Sequence, residues 1–275
     1  MRLGGHVFGD VSDPESWIAV LKGCGYTAAY CPLNDAQDDG AIRAYAKAAA
    51  EANIVIAEVG TWSNPMSPDE DERRKALALC QERLALADKI GARCCVNVAG
   101  SRGEKWAGHH PDNFTEDTFD RIVEVTRSII DAVKPTRTFY TLEMMPWMYP
   151  DSPDSYVRLL RAIDRERFAV HLDPVNIICS PQRFYNNSAL IRACFAKLGP
   201  HIKSCHAKDI AFSHKLTVHL DEVRPGTGGL DYRTYLQELG RLDPDTPLMI
   251  EHLPNEEEYA LAAEHIRAVA KDVKN

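Results

Sequence analysis

The sequence has no long apolar run and no dense cluster of basic residues, and both absences exclude classes of protein. A helix that spans a bilayer needs about 20 mostly apolar residues, and the chain contains no such run. The formal net charge is -8 at pH 7 and the isoelectric point is about 5.7. Neither nucleic acid nor an anionic membrane is therefore an expected partner.

Cysteine pairs with the C-x-x-C spacing are also absent, although the chain has 8 cysteines. A chain of 275 residues buries a large core without needing disulfides, so these cysteines are typical of buried thiols in a reducing compartment. Residues 1–6 lack the apolar segment of a signal peptide. We therefore expect a cytoplasmic protein.

The glycine-rich turn that opens many dinucleotide-binding folds is missing as well, because Gly4 and Gly5 are followed directly by His6. Instead, short apolar segments alternate with helical patterns. The predicted strands are residues 2–8, 28–31, 54–59, 94–98, 138–144, 168–173, 201–208 and 247–252. The predicted helices cover about 14–23, 38–52, 67–90, 115–134, 152–163, 183–198, 231–240 and 255–273.

This alternation predicts parallel strand pairing, because a crossover helix returns the chain to the same edge of the sheet. Eight strand–helix units in 275 residues predict a single (β/α)₈ TIM barrel, with residues 1–275 forming one domain. An open, doubly wound sheet is the alternative, but it usually has fewer strands.

Side chains that can bind metal follow the last four predicted strands, where Glu143, Asp173, His206 and Glu251 stand. In a TIM barrel these strand ends meet at one face. Each residue alone could be a helix cap or a surface charge, but their register on successive strands predicts one divalent metal site. Three carboxylates and an imidazole suit Mn²⁺ best, with Mg²⁺, Co²⁺ or Zn²⁺ as alternatives.

The order of several short motifs resembles the xylose-isomerase-like superfamily, and within it the sugar phosphate isomerase/epimerase branch that includes ketose 3-epimerases. The motifs are Thr61-Trp62-Ser63-Asn64, Glu143, His171-Leu172-Asp173, His206-Ala207-Lys208-Asp209, residues 226–232 and Glu251. The resemblance covers nearly the whole chain, and it rests on the order and spacing of the motifs more than on any one of them.

The resemblance implies a metal bound by Glu143, Asp173, His206 and Glu251. It also implies that Glu143 and Glu251 exchange a proton with a keto sugar or sugar derivative through an enediolate. One position departs from the pattern, because Asn176 stands where the compared epimerases have a histidine three residues after the aspartate. Asparagine can donate to a hydroxyl but cannot act as a base at neutral pH.

Other residues are predicted to contact a small carbohydrate substrate. His171 shares a strand face with Asp173, and Lys208 shares one with His206, although His171 could equally be a core residue. Arg224 is suited to a carboxylate or phosphate, or is a loop charge. The predicted substrate contacts are His6, Glu58, Trp62, His171, Asn176, Lys208 and Arg224. Weaker candidates are Asn97, Trp147 and the loop histidines His109 and His110.

These features favour a metal-dependent isomerase or epimerase, and a homo-oligomer is compatible with them. The same site could instead drive elimination, as in the inosose dehydratases and 3-keto-glycoside lyases that the sequence also resembles. An endonuclease-like hydrolase is less expected, because such enzymes have more histidine ligands and a basic surface. A non-catalytic sugar-binding barrel is less expected because all four ligand positions are filled.

Overall fold

The computed structural model of the protein describes residues 1–34 and 36–274, and it contains eight parallel strands enclosed by helices. The eight parallel strands are β1 (Arg2–Gly5), β2 (Ala28–Tyr30), β3 (Val55–Gly60), β4 (Cys94–Asn97), β5 (Phe139–Glu143), β6 (Phe168–Leu172), β7 (Ile202–Ala207) and β10 (Pro247–Ile250). Two antiparallel strands, β8 (Asp209–Ser213) and β9 (His219–Val223), lie between β7 and β10 in the sequence. The helices are α1 (Pro14–Gly23), α2 (Asp39–Glu51), α3 (Glu70–Ile90), α4 (Glu116–Val133), α5 (Pro153–Ile163), α6 (Pro181–Tyr185), α7 (Asn187–Leu198), α8 (Tyr232–Leu239) and α9 (Glu256–Lys274).

The parallel strands follow the order β1-β10-β7-β6-β5-β4-β3-β2 around the sheet. At the remaining seam, the backbone N–H of Thr27 donates to the carbonyl oxygen of Leu3 at 2.9 Å, so the barrel is nearly closed. A side chain on Gly4 would overlap the carbonyl group of Ala28, and this close approach of β1 and β2 requires glycine. The predicted TIM barrel is confirmed, and the carboxyl ends of all eight strands open onto one face.

The core strands are apolar because each is covered on both sides. Every residue of β4, β6 and β10 is buried, with the barrel interior on one side and the helical layer on the other. All eight cysteines are free thiols. Within the described residues, each helix is too short or too polar to cross a membrane.

Three details differ from the predicted elements. The connection after β7 contains an antiparallel hairpin of β8 and β9. Strand β8 directly continues the predicted strand 201–208, and the residues of β9 are mostly polar and exposed, so no pattern indicated a hairpin here. The helix predicted over residues 183–198 is two helices, α6 and α7, that meet at Asn186. Helix α3 begins at Glu70, three residues after the predicted start, and is capped by Asp69, which accepts from the N–H of Glu72. The hydroxyl of Ser67 accepts from the N–H of Asp69.

Candidate metal centre

Four side chains from neighbouring strand ends converge at the centre of the open face. Glu143 ends β5, Asp173 follows β6, His206 lies in β7 and Glu251 follows β10. His206 Nδ1 lies 2.9 Å from Glu251 Oε1, 3.1 Å from Glu143 Oε1 and 3.7 Å from Asp173 Oδ2. One potential ligand atom of each residue lies within 4.8 Å of the others, so this ligand cluster could hold a metal ion.

The ligand cluster is buried and electrostatically crowded. Burial raises the pKa of Glu143, and the nearby carboxylate of Glu251 adds to this effect. Burial alone would also raise the pKa of Glu251, but the charges of His206 and Lys208 outweigh it and lower that pKa to about 2. Lys208 and His206 likewise hold the pKa of Asp173 well below its usual range against the opposing effect of burial.

Two carboxylate oxygens of the cluster fit the requirements of a cation site. Asp173 Oδ2 and Glu251 Oε1 are buried and accept no well-directed hydrogen bond. Lys208 Nζ nevertheless lies 2.9 Å and 2.6 Å from these two atoms, so its attraction to them is mainly electrostatic. Hard oxygen atoms with free lone pairs, together with one imidazole nitrogen, form a donor set that suits a divalent ion.

Lys208 supplies positive charge to the same space. Its side chain is 2% exposed, and its Nζ also lies 3.6 Å from Glu222 Oε2 and 3.8 Å from Glu143 Oε1. Burial would lower the pKa of Lys208, but the carboxylates around it, Asp173 first, raise that pKa well above its usual value. The side chain is therefore an ammonium ion that partly neutralises the cluster.

Asn176 connects the cluster to Lys208. Its Nδ2 donates to Glu143 Oε1 at 3.0 Å and to the carbonyl oxygen of Met144 at 3.1 Å, while its Oδ1 accepts from Lys208 Nζ at 3.2 Å. The side chain thus fixes the orientation of the Glu143 carboxylate. An amide can provide these contacts without titrating.

Glu58 and His171 lie beneath the ligand cluster and do not line the cavity, although both were predicted as substrate contacts. They are 1% and 0% exposed because they occupy the barrel interior, one layer below the mouth. Glu58 Oε2 faces His206 Nε2 at 3.3 Å, and its Oε1 accepts from the hydroxyl of Ser204. Burial, and then the nearby His206, lower the pKa of His171 to about 4, so His171 is neutral at pH 7.

A cavity of about 660 Å³ opens above the ligand cluster. It is lined by His6, Tyr30, Trp62, Val98, Trp106, Ala107, Glu143, Met145, Trp147, Asn176, Lys208, Glu222, Glu251, His252 and Tyr259. Four predicted substrate contacts are among them, namely His6, Trp62, Asn176 and Lys208. Sequence reasoning missed Trp106, Glu222, His252 and Tyr259 as lining residues. Only Trp106 had a signal in the sequence, because it is an aromatic residue in a glycine-containing loop.

A family model matches most of the sequence. Residues 18–269 match the family model described as the xylose isomerase-like TIM barrel. The chain belongs to this family. No curated protein sequence matches the chain.

Solved structures with the same fold include three that span nearly the whole chain. D-psicose 3-epimerase with D-tagatose from Clostridium cellulolyticum H10 has a TM-score of 0.71 and 15% identity, covering 99% of each chain. The probable 3-DHS dehydratase of petrobactin synthesis from Bacillus anthracis has a TM-score of 0.71 and 16% identity, covering 100% of this chain and 98% of that one. A xylose isomerase-like TIM barrel protein from Mycobacterium smegmatis in complex with magnesium has a TM-score of 0.67 and 16% identity, covering 99% and 96%.

In this member of the xylose isomerase-like family, the glycine-rich stretch of residues 226–230 follows the β8–β9 hairpin and encloses Asp209. The buried carboxylate of Asp209 accepts from the backbone N–H groups of Ile210, Gly226, Gly228 and Leu230 at 2.8–3.0 Å. A side chain on Gly228 would overlap Asp209 and the carbonyl oxygen of Ile210, so glycine is required there. This stretch holds the chain in place behind Lys208 and does not face the cavity.

Three further candidates also lie away from the cavity. Arg224, a predicted substrate contact, pairs with Glu258 at 2.8 Å and is absent from the cavity lining. His110 accepts from the N–H of Asp112 at the start of a short 3₁₀ turn, which is a capping role. Asn97 Oδ1 accepts from the backbone N–H of Ser63 at 3.2 Å and so supports the loop after β3.

Proposed function

We propose that the protein is a divalent-metal-dependent isomerase or epimerase that acts on a keto sugar or sugar derivative. The observation that carries this proposal is the convergence of Glu143, Asp173, His206 and Glu251 below an open cavity. The epimerase fold shared with the Clostridium protein supports it. Manganese is the proposed ion because three oxygen donors and one imidazole suit it, and magnesium is the nearest competitor.

When bound, a divalent ion would polarise the carbonyl and the adjacent hydroxyl of the sugar and so acidify the C–H bond between them. Strands β6 and β7 separate the strands of Glu143 and Glu251 around the barrel, so the two carboxylates approach the cavity from different directions. One glutamate, ionised as a carboxylate, takes the proton and leaves an enediolate, and the other, protonated as a carboxylic acid, returns a proton to the sugar. Asn176 orients Glu143, and the Lys208 ammonium stabilises negative charge that develops on the substrate.

Elimination at the same site is the second candidate, and the position of Lys208 favours it. A buried ammonium 2.6 Å from Glu251 Oε1 and 2.9 Å from Asp173 Oδ2 could stabilise the negative charge of a departing hydroxyl or alkoxide. Epimerisation has no departing group to stabilise in this way. The dehydratase from Bacillus anthracis shares the fold, which is compatible with this chemistry.

The remaining alternatives have less support. A phosphodiester substrate would meet three glutamates in the cavity, Glu143, Glu222 and Glu251, in a chain with a net charge of -8. A barrel that only binds sugar would not need a buried cluster of three carboxylates and an imidazole. A small carbohydrate is thus the proposed partner, without nucleic acid or membrane, and the eight free cysteines favour the cytoplasm.

Glu143→Gln and Glu251→Gln test the proton transfer. Each variant should retain much of its metal and lose turnover by at least about 100-fold, because a positioned acid or base contributes 10²–10⁴-fold. Elemental analysis measures the metal. Turnover of ketoses, inososes and 3-keto-glycosides in D₂O measures both deuterium uptake and elimination.

The matched control is Glu124→Gln, which changes an exposed glutamate of α4 and should behave as the wild type. Near wild-type rates in both cluster variants would remove Glu143 and Glu251 from the proton transfer. Formation of the elimination product, without any epimer of the substrate, would favour elimination over epimerisation.

A further inference from the structure

Three of the four tryptophans stand at the mouth of the cavity. Trp62, Trp106 and Trp147 are 44%, 46% and 40% exposed, whereas Trp17 is 2% exposed within the core. Large aromatic residues concentrated on one exposed surface mark a binding site, because leaving such surface in water is unfavourable. These three indoles are called the aromatic rim below.

The loops that carry the aromatic rim are tied together by two buried asparagines. Asn64, after β3, donates to the carbonyl oxygen of Ser101 and accepts from its N–H, both at 2.9 Å. Asn113, after β4, donates to the carbonyl oxygen of Trp147 at 3.1 Å. The indole of Trp147 donates to the carbonyl oxygen of Ala107 at 2.7 Å. The rim is therefore preorganised, and a ligand would not need to order these loops.

The charges of the cavity disfavour an anionic ligand. Among the lining residues that the structure describes, Lys208 is the only lysine or arginine, and its Nζ already lies 2.6–3.8 Å from four carboxylates. Recognition of phosphate or carboxylate groups usually employs arginine or unpaired lysine. The nearby Arg224 is engaged by Glu258 at 2.8 Å. Apart from the metal ion itself and the histidines His6 and His252, the described cavity lining thus offers a phosphorylated or acidic sugar no free cationic side chain.

The size of the cavity adds a second constraint. Its volume of about 660 Å³ lies within the range of about 300–1,000 Å³ that is typical of sites for drug-sized ligands. A single sugar ring is smaller than a drug-sized ligand and would fill only part of this volume. Flat indole faces attract the C–H surface of a sugar or the face of an aromatic ring.

We propose that the substrate is a neutral glycoside of a sugar whose keto group stands at a carbon other than the anomeric one. The carbonyl then remains free to bind at the ligand cluster, and the second ring stacks on the aromatic rim. This inference rests on the proposed function, because it places the reacting sugar at the metal site. The second ring is either aromatic or another sugar, since both present a flat apolar face.

The test compares binding of four probes to the metal-loaded protein by calorimetry and tryptophan fluorescence. The probes are a sugar with a keto group at a non-anomeric carbon, its phosphate ester, its phenyl glycoside and the corresponding disaccharide. We expect both glycosides to bind about 10-fold or more tightly than the free sugar, and the phosphate ester to bind more weakly than it, because each aromatic stacking contact is worth about 2- to 10-fold in affinity. The stronger of the two glycosides identifies the preferred second ring.

Variants of the aromatic rim test whether the second ring of the glycoside binds at these tryptophans. Trp62→Ala and Trp106→Ala, with Trp106→Leu as a variant that keeps an apolar side chain but no aromatic face, should reduce glycoside affinity by a larger factor than free-sugar affinity. Tyr185→Ala is the matched control, since this aromatic residue is 73% exposed and does not line the cavity. Thermal unfolding confirms that each variant is folded.

The outcomes separate this inference from the proposed function. Metal binding and proton exchange on the free keto sugar, without any preference for glycosides, would overturn the neutral-glycoside inference and leave the proposed function intact. Preferential binding of the phosphate ester would also overturn it. A protein that neither binds metal nor processes any of the four probes would contradict both proposals.

Discussion

The ligand cluster and the aromatic rim share one cavity but are held in place in different ways. The four side chains of the cluster come from barrel strands or directly follow them, and they are only 0–12% exposed. The indoles of the rim come from loops and are 40–46% exposed. The sheet positions the cluster, whereas the loops depend on hydrogen bonds of Asn64 and Asn113. The candidate metal site and the proposed ligand contacts of the rim are therefore held in place independently of each other.

The largest expected effect lies in the ligand cluster. Asp173→Ala and His206→Ala should abolish metal binding, because each removes a ligand from a buried site that has few alternatives. Elemental analysis after dialysis against Mn²⁺ measures the loss. Asp173→Asn keeps the shape of the side chain, so it separates a lost ligand charge from a damaged fold.

The controls for this prediction are Asp120→Ala and His219→Ala, which remove exposed side chains of the same types. Both should bind metal as the wild type does. Full metal content in Asp173→Ala or His206→Ala would contradict the assignment of the cluster. Aromatic rim variants should keep their metal, and loss of metal there would break the separation of the two regions.

An intermediate effect is expected one layer below the cluster. Glu58→Gln should weaken metal binding by about 10- to 100-fold, because Glu58 Oε2 faces His206 Nε2 at 3.3 Å and orients the imidazole for a ligand at Nδ1. Competition with a chelator of known affinity measures the change. An unchanged metal affinity would show that the barrel strands alone orient His206.

The smallest effect is expected at Arg224. Its pairing with Glu258 is partly exposed, so Arg224→Ala should cost about 0–1 kcal/mol of unfolding free energy and leave kcat and KM unchanged. Denaturant unfolding and steady-state kinetics measure these quantities, with Glu258→Ala and the double variant completing the cycle. A large increase in KM in Arg224→Ala would indicate that Arg224 contacts the substrate after all.

The ligand cluster was the most predictable part of the molecule. An apolar strand followed by Glu143, Asp173 or Glu251 is a local pattern, and the barrel then brings such strand ends together. Depth in the barrel was predictable for His171, because a residue two positions before Asp173 on the same strand face lies one layer lower. It was less predictable for Glu58, whose strand carries no metal ligand to mark the layer. Strand β9 escaped prediction because its residues are mostly polar and exposed.

The cavity wall above the cluster was predictable only in part. Trp106 and Tyr259 come from a loop and from helix α9, and their meeting at the cavity depends on contacts between distant parts of the chain. Arg224 directly precedes a glycine-rich stretch, and its guanidinium suggested contact with a carboxylate or phosphate. The buried carboxylate of Asp209 occupies the backbone N–H groups of that stretch instead, and no local pattern distinguishes the two arrangements.

The anchoring of Asp209 has a practical consequence for protein engineering. The four backbone N–H groups bound to its carboxylate fix the base of the β8–β9 hairpin, while Leu216 at the far end is 99% exposed. Exposed loop tips tolerate insertions best when the backbone at their base is independently secured. Residues 214–218 therefore offer an attachment point for a tether, a label or a fused peptide on the open face of the barrel, with Lys208 left in place.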